Sequence, residues 1–334
     1  MKKFHAVSIL LGLGILAFLV RQIGFQELLR EIVLLGWGLV PLVLIEIVAD
    51  ALHTVGWRHC LPEPLRSLPF SRLFRIRLAG YAINYLTPTA TLGGEVTKGV
   101  LLSMNHTATG AFQGVVVGKL AYSIAQTLFV SLGSIITLYG VSLPRGVWPA
   151  MLMGSALLAI GIFGFLVAQR FGKLGAIFRR LSGHRQSGGY LALAARKATE
   201  VDNELRLFYQ RQPLELPIAV LWHMTGMACG IVQAWYFLSL LTDKASLQVA
   251  AGIWFLGGWF DLMTFAVPFG IGIQEGARVF ALKAVGFEPA MGLAYGLTLR
   301  LEQILRTGLG LVFYTTLLSE KSVAEMAPQK GGTN

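Results

Sequence analysis

Charged residues are scarce in this chain. Lysine, arginine, aspartate and glutamate together make up 13% of its 334 residues, whereas hydrophobic residues make up 54%. One soluble core of this size cannot enclose so much apolar surface, so the composition excludes a soluble globular protein and indicates a membrane protein. A charge within an apolar stretch is costly in a bilayer, which makes each such charge a candidate functional residue.

Cysteine is rarer still, and its two copies, Cys60 and Cys229, lie far apart without the spacing of metal ligands. We expect both to fill space rather than to form a metal site. Signatures of catalysis are also missing, since the sequence has no GxSxG, HExxH, P-loop or dinucleotide-binding pattern in a usable context. These absences argue against an enzyme and against a resident metal or cofactor.

Apolar stretches long enough to cross about 30 Å of hydrocarbon recur along the whole chain. They predict an all-α polytopic membrane protein, a single membrane domain over residues 1–334 with about seven or eight transmembrane helices. We expect the first stretch to be retained, because no small-x-small cleavage site precedes Arg21. The predicted spans are at about 6–20, 34–54, 107–139, 147–168, 214–241, 248–268 and 288–318.

Basic residues are concentrated in two connections. Residues 55–80 hold five arginines against Glu63 alone, and residues 169–213 hold nine lysines or arginines against three acids. By the positive-inside rule, both loops and both termini are expected in the cytoplasm of a bacterial inner membrane. Residues 190–209 have the spacing of an amphipathic helix, which predicts a helix on the inner membrane surface or, alternatively, a solvated linker helix. The arginines of the first loop are Arg58, Arg66, Arg72, Arg75 and Arg77.

The net charge of +11 follows from this distribution. The orientation rule and attraction to anionic lipid headgroups both account for an excess of basic residues, so no nucleic-acid partner is expected.

One charged pattern occurs twice, 180 residues apart. Each copy has a proline, two glycines, and then an acid and a base one helical turn apart, and the composition makes two chance matches improbable. A further basic residue follows each copy at nearly equal distance, inside an apolar run. The first copy contains Pro88, Gly93, Gly94, Glu95 and Lys98 and is followed by Lys119; the second contains Pro268, Gly270, Gly272, Glu275 and Arg278 and is followed by Arg300.

The prolines and glycines make 81–104 and 262–284 poor continuous spans, because both residue types interrupt helices. We therefore predict two broken, re-entrant hairpins. The predicted orientation places them on opposite faces, as in the inverted repeats of secondary transporters, where helix N-termini point at the anionic part of a substrate. The two repeats would cover residues 81–139 and 262–318.

The segments NYLTPTATLGGEVTKGVLL and VPFGIGIQEGARVF, with the helices bearing Lys119 and Arg300, resemble the flippase-like transmembrane domain of lysylphosphatidylglycerol synthases over about residues 5–318. Phe269 stands where that family usually has glycine, and Lys119 where it often has arginine. Two-domain members carry a soluble aminoacyl-transferring domain, whereas only about 16 residues follow the last predicted span here. The resemblance thus implies translocation of a lipid rather than its synthesis.

The charged pattern predicts a substrate site for a lipid headgroup. Four bases would attract the headgroup, and two acids would neutralise these bases when the site is empty or carry a coupling proton. The alternative is that each acid forms an internal i,i+3 ion pair with its neighbouring base. The candidate site residues are Asn84, Glu95, Lys98, Lys119, Asp261, Glu275, Arg278 and Arg300, and the expected hinges are Pro88, Gly93, Gly94, Pro268, Gly270 and Gly272.

Other polar residues within predicted spans have less specific interpretations. Glu46, Asp50 and His53 share one face of the second span and could form either a proton path or a polar seam facing the bundle. Glu302 and Arg306 are spaced i,i+4, which favours a local ion pair. His223 is expected to be a hydrogen-bonded interior histidine.

The function predicted from the sequence is a lipid translocase that moves an amphipathic lipid with an anionic or polar head between leaflets. No ATP-hydrolysing element is present in the sequence, so movement would be downhill or driven by an ion gradient. The alternatives are a membrane glycosyltransferase that uses a polyprenyl-phosphate-linked sugar, and a non-transporting partner of a lipid-synthesis complex. Lipid-biosynthesis enzymes and a second copy of the chain are the protein partners considered.

Overall fold

The computed structural model describes residues 21, 25–63, 65–87, 92–104, 108–140, 147–170, 208, 210, 212–261 and 273–326. Within these ranges the regular structure is helical and no β-strand occurs, in agreement with the predicted all-α class. Gly36, at a φ of +50°, turns the chain between the first two helices. The helices are α1 (Phe25–Leu35), α2 (Leu39–His59), α3 (Phe70–Leu86), α4 (Leu92–Ser103), α5 (Ala108–Gly140), α6 (Val147–Arg170), α7 (Glu215–Leu241), α8 (Leu247–Asp261), α9 (Ile273–Ala284) and α10 (Pro289–Met326), with 3-10 turns at Gly36–Gly38 and Leu65–Ser67.

Within the described ranges, three segments are long and apolar enough to cross a membrane: Val33–His59, Gly110–Ile135 and Glu215–Leu241. They correspond to α2 with the turn before it, α5 and α7, and they agree with three of the predicted spans. Helix α6 covers the predicted span at 147–168, and the 38 residues of α10 cover the one at 288–318.

Helix α8 has 15 residues and ends at Asp261, before the end of the predicted span at 248–268. The predicted first span at 6–20 lies outside the described residues, as does most of the basic loop at 169–213.

The sequence predicts a break after α3, and helix α3 does end there; below, α3 with α4 is called the first hairpin and α8 with α9 the second. Helix α3 ends at Leu86 and α4 begins at Leu92, with Pro88 between them. Thr87 has extended backbone angles (φ −120°, ψ 129°), the conformation that a following proline favours. In the second half, α8 ends at Asp261 and α9 begins at Ile273. The expected hinges Pro268, Gly270 and Gly272 lie outside the described residues.

Helices α2 and α7, each of which precedes a hairpin, lie side by side and antiparallel. The amide Nε2 of Gln233 donates a hydrogen bond to the Leu42 carbonyl at 3.1 Å. Further along α2, the Nδ1 atoms of His53 and His223 share a hydrogen bond of 2.9 Å. His59 contacts Glu215 at 2.5 Å. Residue numbers rise along α2 while those of its partners fall along α7, so these two helices run in opposite directions.

The bundle has two halves, α2–α5 and α7–α10, and helices of one half pack against helices of the other. Helix α3 packs along α10, and α8 packs along α5. At the first contact, the backbone of Gly310 lies against the carbonyl oxygen of Leu78. At the second, the Trp259 indole Nε1 donates to the Ser134 hydroxyl at 3.0 Å. The first helix of each hairpin is thus held by the long helix that follows the other hairpin.

The structure corrects the placement of Arg77 in a basic loop. Helix α2 continues to His59 and α3 already begins at Phe70, so Arg77 lies inside a helix. Its Nε is 3.3 Å from Asp50 Oδ1 on α2. An arginine is tolerated at this interior position because a carboxylate on the neighbouring helix compensates its charge.

Candidate functional site

Arg300 is at the centre of the second hairpin site. Its side chain is fully buried, with 0% of its surface exposed, and its Nε and Nη2 both donate to Glu275 Oε1, at 2.9 and 2.7 Å. Its Nη1 donates to the Tyr85 hydroxyl of α3 at 3.1 Å. Gly296 lets α10 approach α9 closely enough for this pair to form. A Cβ at this position would press on Glu275. Arg300 therefore joins α9, α10 and the first hairpin.

Arg278 pairs with Asp261 rather than with its neighbour Glu275. Its Nη2 donates to Asp261 Oδ2 at 2.6 Å, which links α9 to the last residue of α8. The guanidinium occupies the space that a Cβ at Gly257 would fill. The interpretation of Glu275 and Arg278 as an i,i+3 ion pair is therefore wrong, because the fork of Arg300 takes the Glu275 carboxylate with two N–H groups.

In the first hairpin, the i,i+3 pair does form. Lys98 Nζ is 2.5 Å from Glu95 Oε2, and both side chains are largely buried. The ammonium also lies 5.4 Å from the centroid of the Trp57 ring on α2, a favourable cation–π arrangement.

Lys119 differs from the other candidate bases. It lies on α5, partly buried, with its ammonium 5.6 Å from the centroid of the Tyr122 ring. Glu95 is the carboxylate within electrostatic reach of it. Among the described residues, Lys119 forms no ion pair, so the first site has two ammonium groups for the single carboxylate of Glu95.

Asn84 and Gly94 hold the first hairpin together. The Gly94 amide donates to Asn84 Oδ1 at 2.6 Å, which satisfies a donor in the first turn of α4. A Cβ at Gly94 would collide with the Gly80 carbonyl oxygen. Gly93 and Gly94 both lie in the first turn of α4, and Gly94 is tightly packed there; their expected role as hinges stays a prediction. Pro88, the other expected hinge of the first hairpin, lies outside the described residues.

The two hairpins place equivalent groups at equivalent positions. Gly80 makes room for the stem of Lys98 as Gly257 makes room for Arg278. Four residues after each glycine comes a polar side chain, Asn84 in the first hairpin and Asp261 in the second. The expected site residues of each half therefore lie together, in two separate groups.

Sequence reasoning missed the role of Arg306 in joining the helices. Its Nη1 donates to Glu46 Oε2 at 2.7 Å and lies 3.4 Å from Asp50 Oδ2. Its Nε is 3.1 Å from Glu302 Oε1, so the expected local pair is present but is part of a larger group. The guanidinium also lies 3.9 Å from the Tyr81 ring centroid. The only signal in the sequence was the shared polar face of α2, which does face the bundle.

A cavity of about 210 Å³ opens beside this group. His53 lines it, and its ring meets His223 of α7 and lies 5.4 Å from the Tyr122 ring. His223 is buried and hydrogen-bonded, as expected. Within the described ranges no three His, Cys, Asp or Glu side chains are placed to hold a metal ion.

Comparisons with known proteins give one match. The family described as "Lysylphosphatidylglycerol synthase TM region" matches residues 5–310. Neither the curated proteins nor the solved structures give a match to the chain. Together with the three apolar helices, the family match makes this a multi-pass membrane protein.

Proposed function

Because the chain belongs to the family of lysylphosphatidylglycerol synthase transmembrane regions, we propose that it is a lipid translocase. It moves an amphipathic lipid with an anionic or polar headgroup from one leaflet to the other. The observation that carries this proposal is the surplus positive charge of the first hairpin site, where Lys98 is paired with Glu95 and Lys119 forms no ion pair among the described residues.

A partly buried ammonium without a carboxylate partner is costly in a membrane protein. A phosphate or other anionic head that enters the first site removes this cost, because it supplies acceptors for Lys119. Glu95 holds Lys98 while the site is empty and releases it when the headgroup arrives. The acyl chains remain in the bilayer throughout.

The second hairpin site supplies the other position of the headgroup. Its charges are balanced, since Arg300 is paired with Glu275 and Arg278 with Asp261. A headgroup that reaches this site must replace a carboxylate, and an arginine fork binds phosphate in the same bidentate manner as it binds a carboxylate. The two sites thus differ in affinity, which favours entry at the first.

The test is movement of a fluorescent phospholipid in liposomes that contain the purified protein. Lys119→Gln removes a charge-assisted contact of about 1.5–3 kcal/mol, so apparent lipid affinity should fall roughly ten- to hundredfold. Lys283→Gln removes the same type of charge from an exposed position at the end of α9 and should leave movement unchanged.

Wild-type protein that moves no lipid would contradict the proposal and favour a glycosyltransferase or a non-transporting partner. Equal movement by wild-type and Lys119→Gln protein, per folded molecule, would remove Lys119 from the headgroup site.

We further propose that the N- and C-termini and both basic loops face the cytoplasm of a bacterial inner membrane. A cysteine introduced as Ser187→Cys, in a background without Cys60 and Cys229, should resist a membrane-impermeant thiol reagent in intact cells and react after permeabilisation. Ready labelling in intact cells would contradict this orientation.

A further inference from the structure

The Arg306 cluster consists of Glu46, Asp50 and Glu302 with Arg77 and Arg306. It contains three carboxylates and two guanidinium groups. The second hairpin site, by contrast, matches two acids with two bases. The Arg306 cluster is therefore one negative charge in excess when all its acids are ionised.

This excess charge is deeply buried. The side chains of Asp50 and Glu302 are 4% and 3% exposed. An uncompensated carboxylate at such a depth carries a large desolvation cost, and binding one proton removes it. We propose that the Arg306 cluster holds one exchangeable proton and couples lipid movement to a proton gradient, a role that rests on the proposed translocase function.

Glu302 is the main carrier of this proton. Asp50 lies near both guanidinium groups, and Glu46 accepts the short hydrogen bond from Arg306 Nη1. Glu302 Oε1, although 3.1 Å from Arg306 Nε, is buried without a well-aligned hydrogen bond from the described residues. It is thus the least stabilised of the three carboxylates and the first to take up a proton.

Among the described residues, no cation other than Arg306 pairs with Glu302. Lys98 is paired with Glu95, Lys119 lies towards Glu95, and Arg278 is paired with Asp261. The other ionisable groups near the cluster are tyrosines and histidines on five helices. They are His53 of α2, Tyr81 and Tyr85 of α3, Tyr122 of α5, His223 of α7 and Tyr295 of α10.

The cavity gives a proton access to the Arg306 cluster at Glu46 and Asp50, whereas Glu302 is not among its lining residues. Its volume of about 210 Å³ has room for several water molecules, and Glu46, Asp50 and His53 line it. His53 and His223 share one hydrogen bond between their Nδ1 atoms, so one ring donates and the other accepts. His223 Nε2 is buried without a hydrogen-bond partner among the described residues, and the tautomer of the ring decides whether this atom carries a proton. A hydronium ion in the cavity gives its proton to a carboxylate oxygen and leaves as water.

Coupling follows from the position of the cluster on α10. Arg306 lies six residues after Arg300 on the same helix. Protonation of Glu302 weakens its attraction for Arg306 and shifts that guanidinium towards Glu46 and Asp50 on α2. The charge state of the cluster thereby acts on the helix that carries the second hairpin site.

Two measurements on the full chain test this inference. Infrared difference spectra of purified protein between acid and neutral pH should contain a carboxylic-acid band that disappears in Glu302→Gln and persists in Glu302→Asp. Glu288→Gln, which changes an exposed acid before α10, should keep the band. Loss of the band in Glu288→Gln, or its persistence in folded Glu302→Gln, would overturn the assignment of the proton.

The second measurement is lipid movement in liposomes with an imposed pH gradient. A gradient of about one pH unit should change the steady-state ratio of labelled lipid between leaflets by up to roughly tenfold, if one proton accompanies one lipid. Glu302→Gln should still move lipid downhill but ignore the gradient, and Glu302→Asp should restore the response.

The two proposals fail in different ways. Wild-type protein that moves lipid but ignores the gradient overturns the coupling and leaves the translocase function intact. If wild-type protein moves no lipid under any condition, the proposed function and the coupling both fail. A Glu302-dependent infrared band would then still support the proton site.

Discussion

The two hairpins carry the same residue pattern but pair their charges differently. In the first, Lys98 takes the acid one turn before it, Glu95, and Lys119 of the next helix has no ion pair among the described residues. In the second, Arg300 of the next helix forms an ion pair with Glu275, and Arg278 pairs with Asp261 on the preceding helix. A repeated pattern thus places the charges at equivalent positions, while the neighbouring helices decide which charges pair.

The change from lysine to arginine explains part of this difference. Lysine is a compact point charge that binds one acceptor on its own helix, whereas the planar guanidinium offers several N–H groups in a fixed fork. Arg300 uses this fork to hold Glu275 and Tyr85 together. The arginine site is therefore balanced and cross-linked, and the lysine site keeps a surplus cation.

The largest expected effect comes from breaking the balanced site. Arg300→Gln removes both guanidinium hydrogen bonds to the largely buried Glu275 carboxylate and should destabilise the protein by roughly 3–5 kcal/mol. Thermal unfolding in detergent measures this loss. The double variant Arg300→Gln with Glu275→Gln should recover much of it, because no buried charge remains. Equal stability of the single variant and the wild type would show that the Arg300–Glu275 ion pair does not stabilise the fold.

A second difference lies in the packing of the short helices. Gly94→Ala places a methyl group against the Gly80 carbonyl and should destabilise the protein by roughly 1–3 kcal/mol. Gly276→Ala is the matched change on α9, where open space surrounds the glycine, and it should stabilise the protein by roughly 0.5–1 kcal/mol. Thermal unfolding of both variants tests whether Gly94→Ala is less stable, and Gly276→Ala more stable, than the wild type. Destabilisation by both would mean that α9 is packed as tightly as α4.

The smallest effect concerns the contact that joins the two sites. Tyr85→Phe removes the hydroxyl that accepts a hydrogen bond from Arg300 Nη1 and should destabilise the protein by about 1 kcal/mol. Tyr314→Phe, on the same long helix as Arg300, serves as the control. In the Arg300→Gln background, Tyr85→Phe should have almost no further effect; an undiminished loss there would show that Tyr85 acts independently of Arg300.

The sequence predicts the bundle better than it predicts the site. Proline at position 88 identifies the break between α3 and α4, because proline removes a backbone donor and clashes with the preceding turn of a helix. Long apolar runs identify α2, α5 and α7 for an equally local reason. The positions of Glu95, Lys98, Glu275 and Arg278 follow from the repeat.

The pairings could not be predicted, because they depend on which helices become neighbours. Arg306 contacts Glu46 and Asp50, which precede it by 260 and 256 residues. Helical spacing points only to Glu302, four residues before it. Arg77 looks like a loop residue for the same reason, since its partner Asp50 lies on another helix.

The packing of α2 and α3 against α10 has a consequence for biosynthesis. The ribosome completes α2 and α3 long before it reaches α10, so Glu46 and Asp50 enter the membrane before Arg306 has been translated. The nascent N-terminal half can pair Asp50 with Arg77, but it must keep Glu46 hydrated or neutral until the last long helix inserts. Final assembly is thereby postponed to the end of translation, which makes the unfinished half a natural substrate for membrane insertases and quality-control proteases.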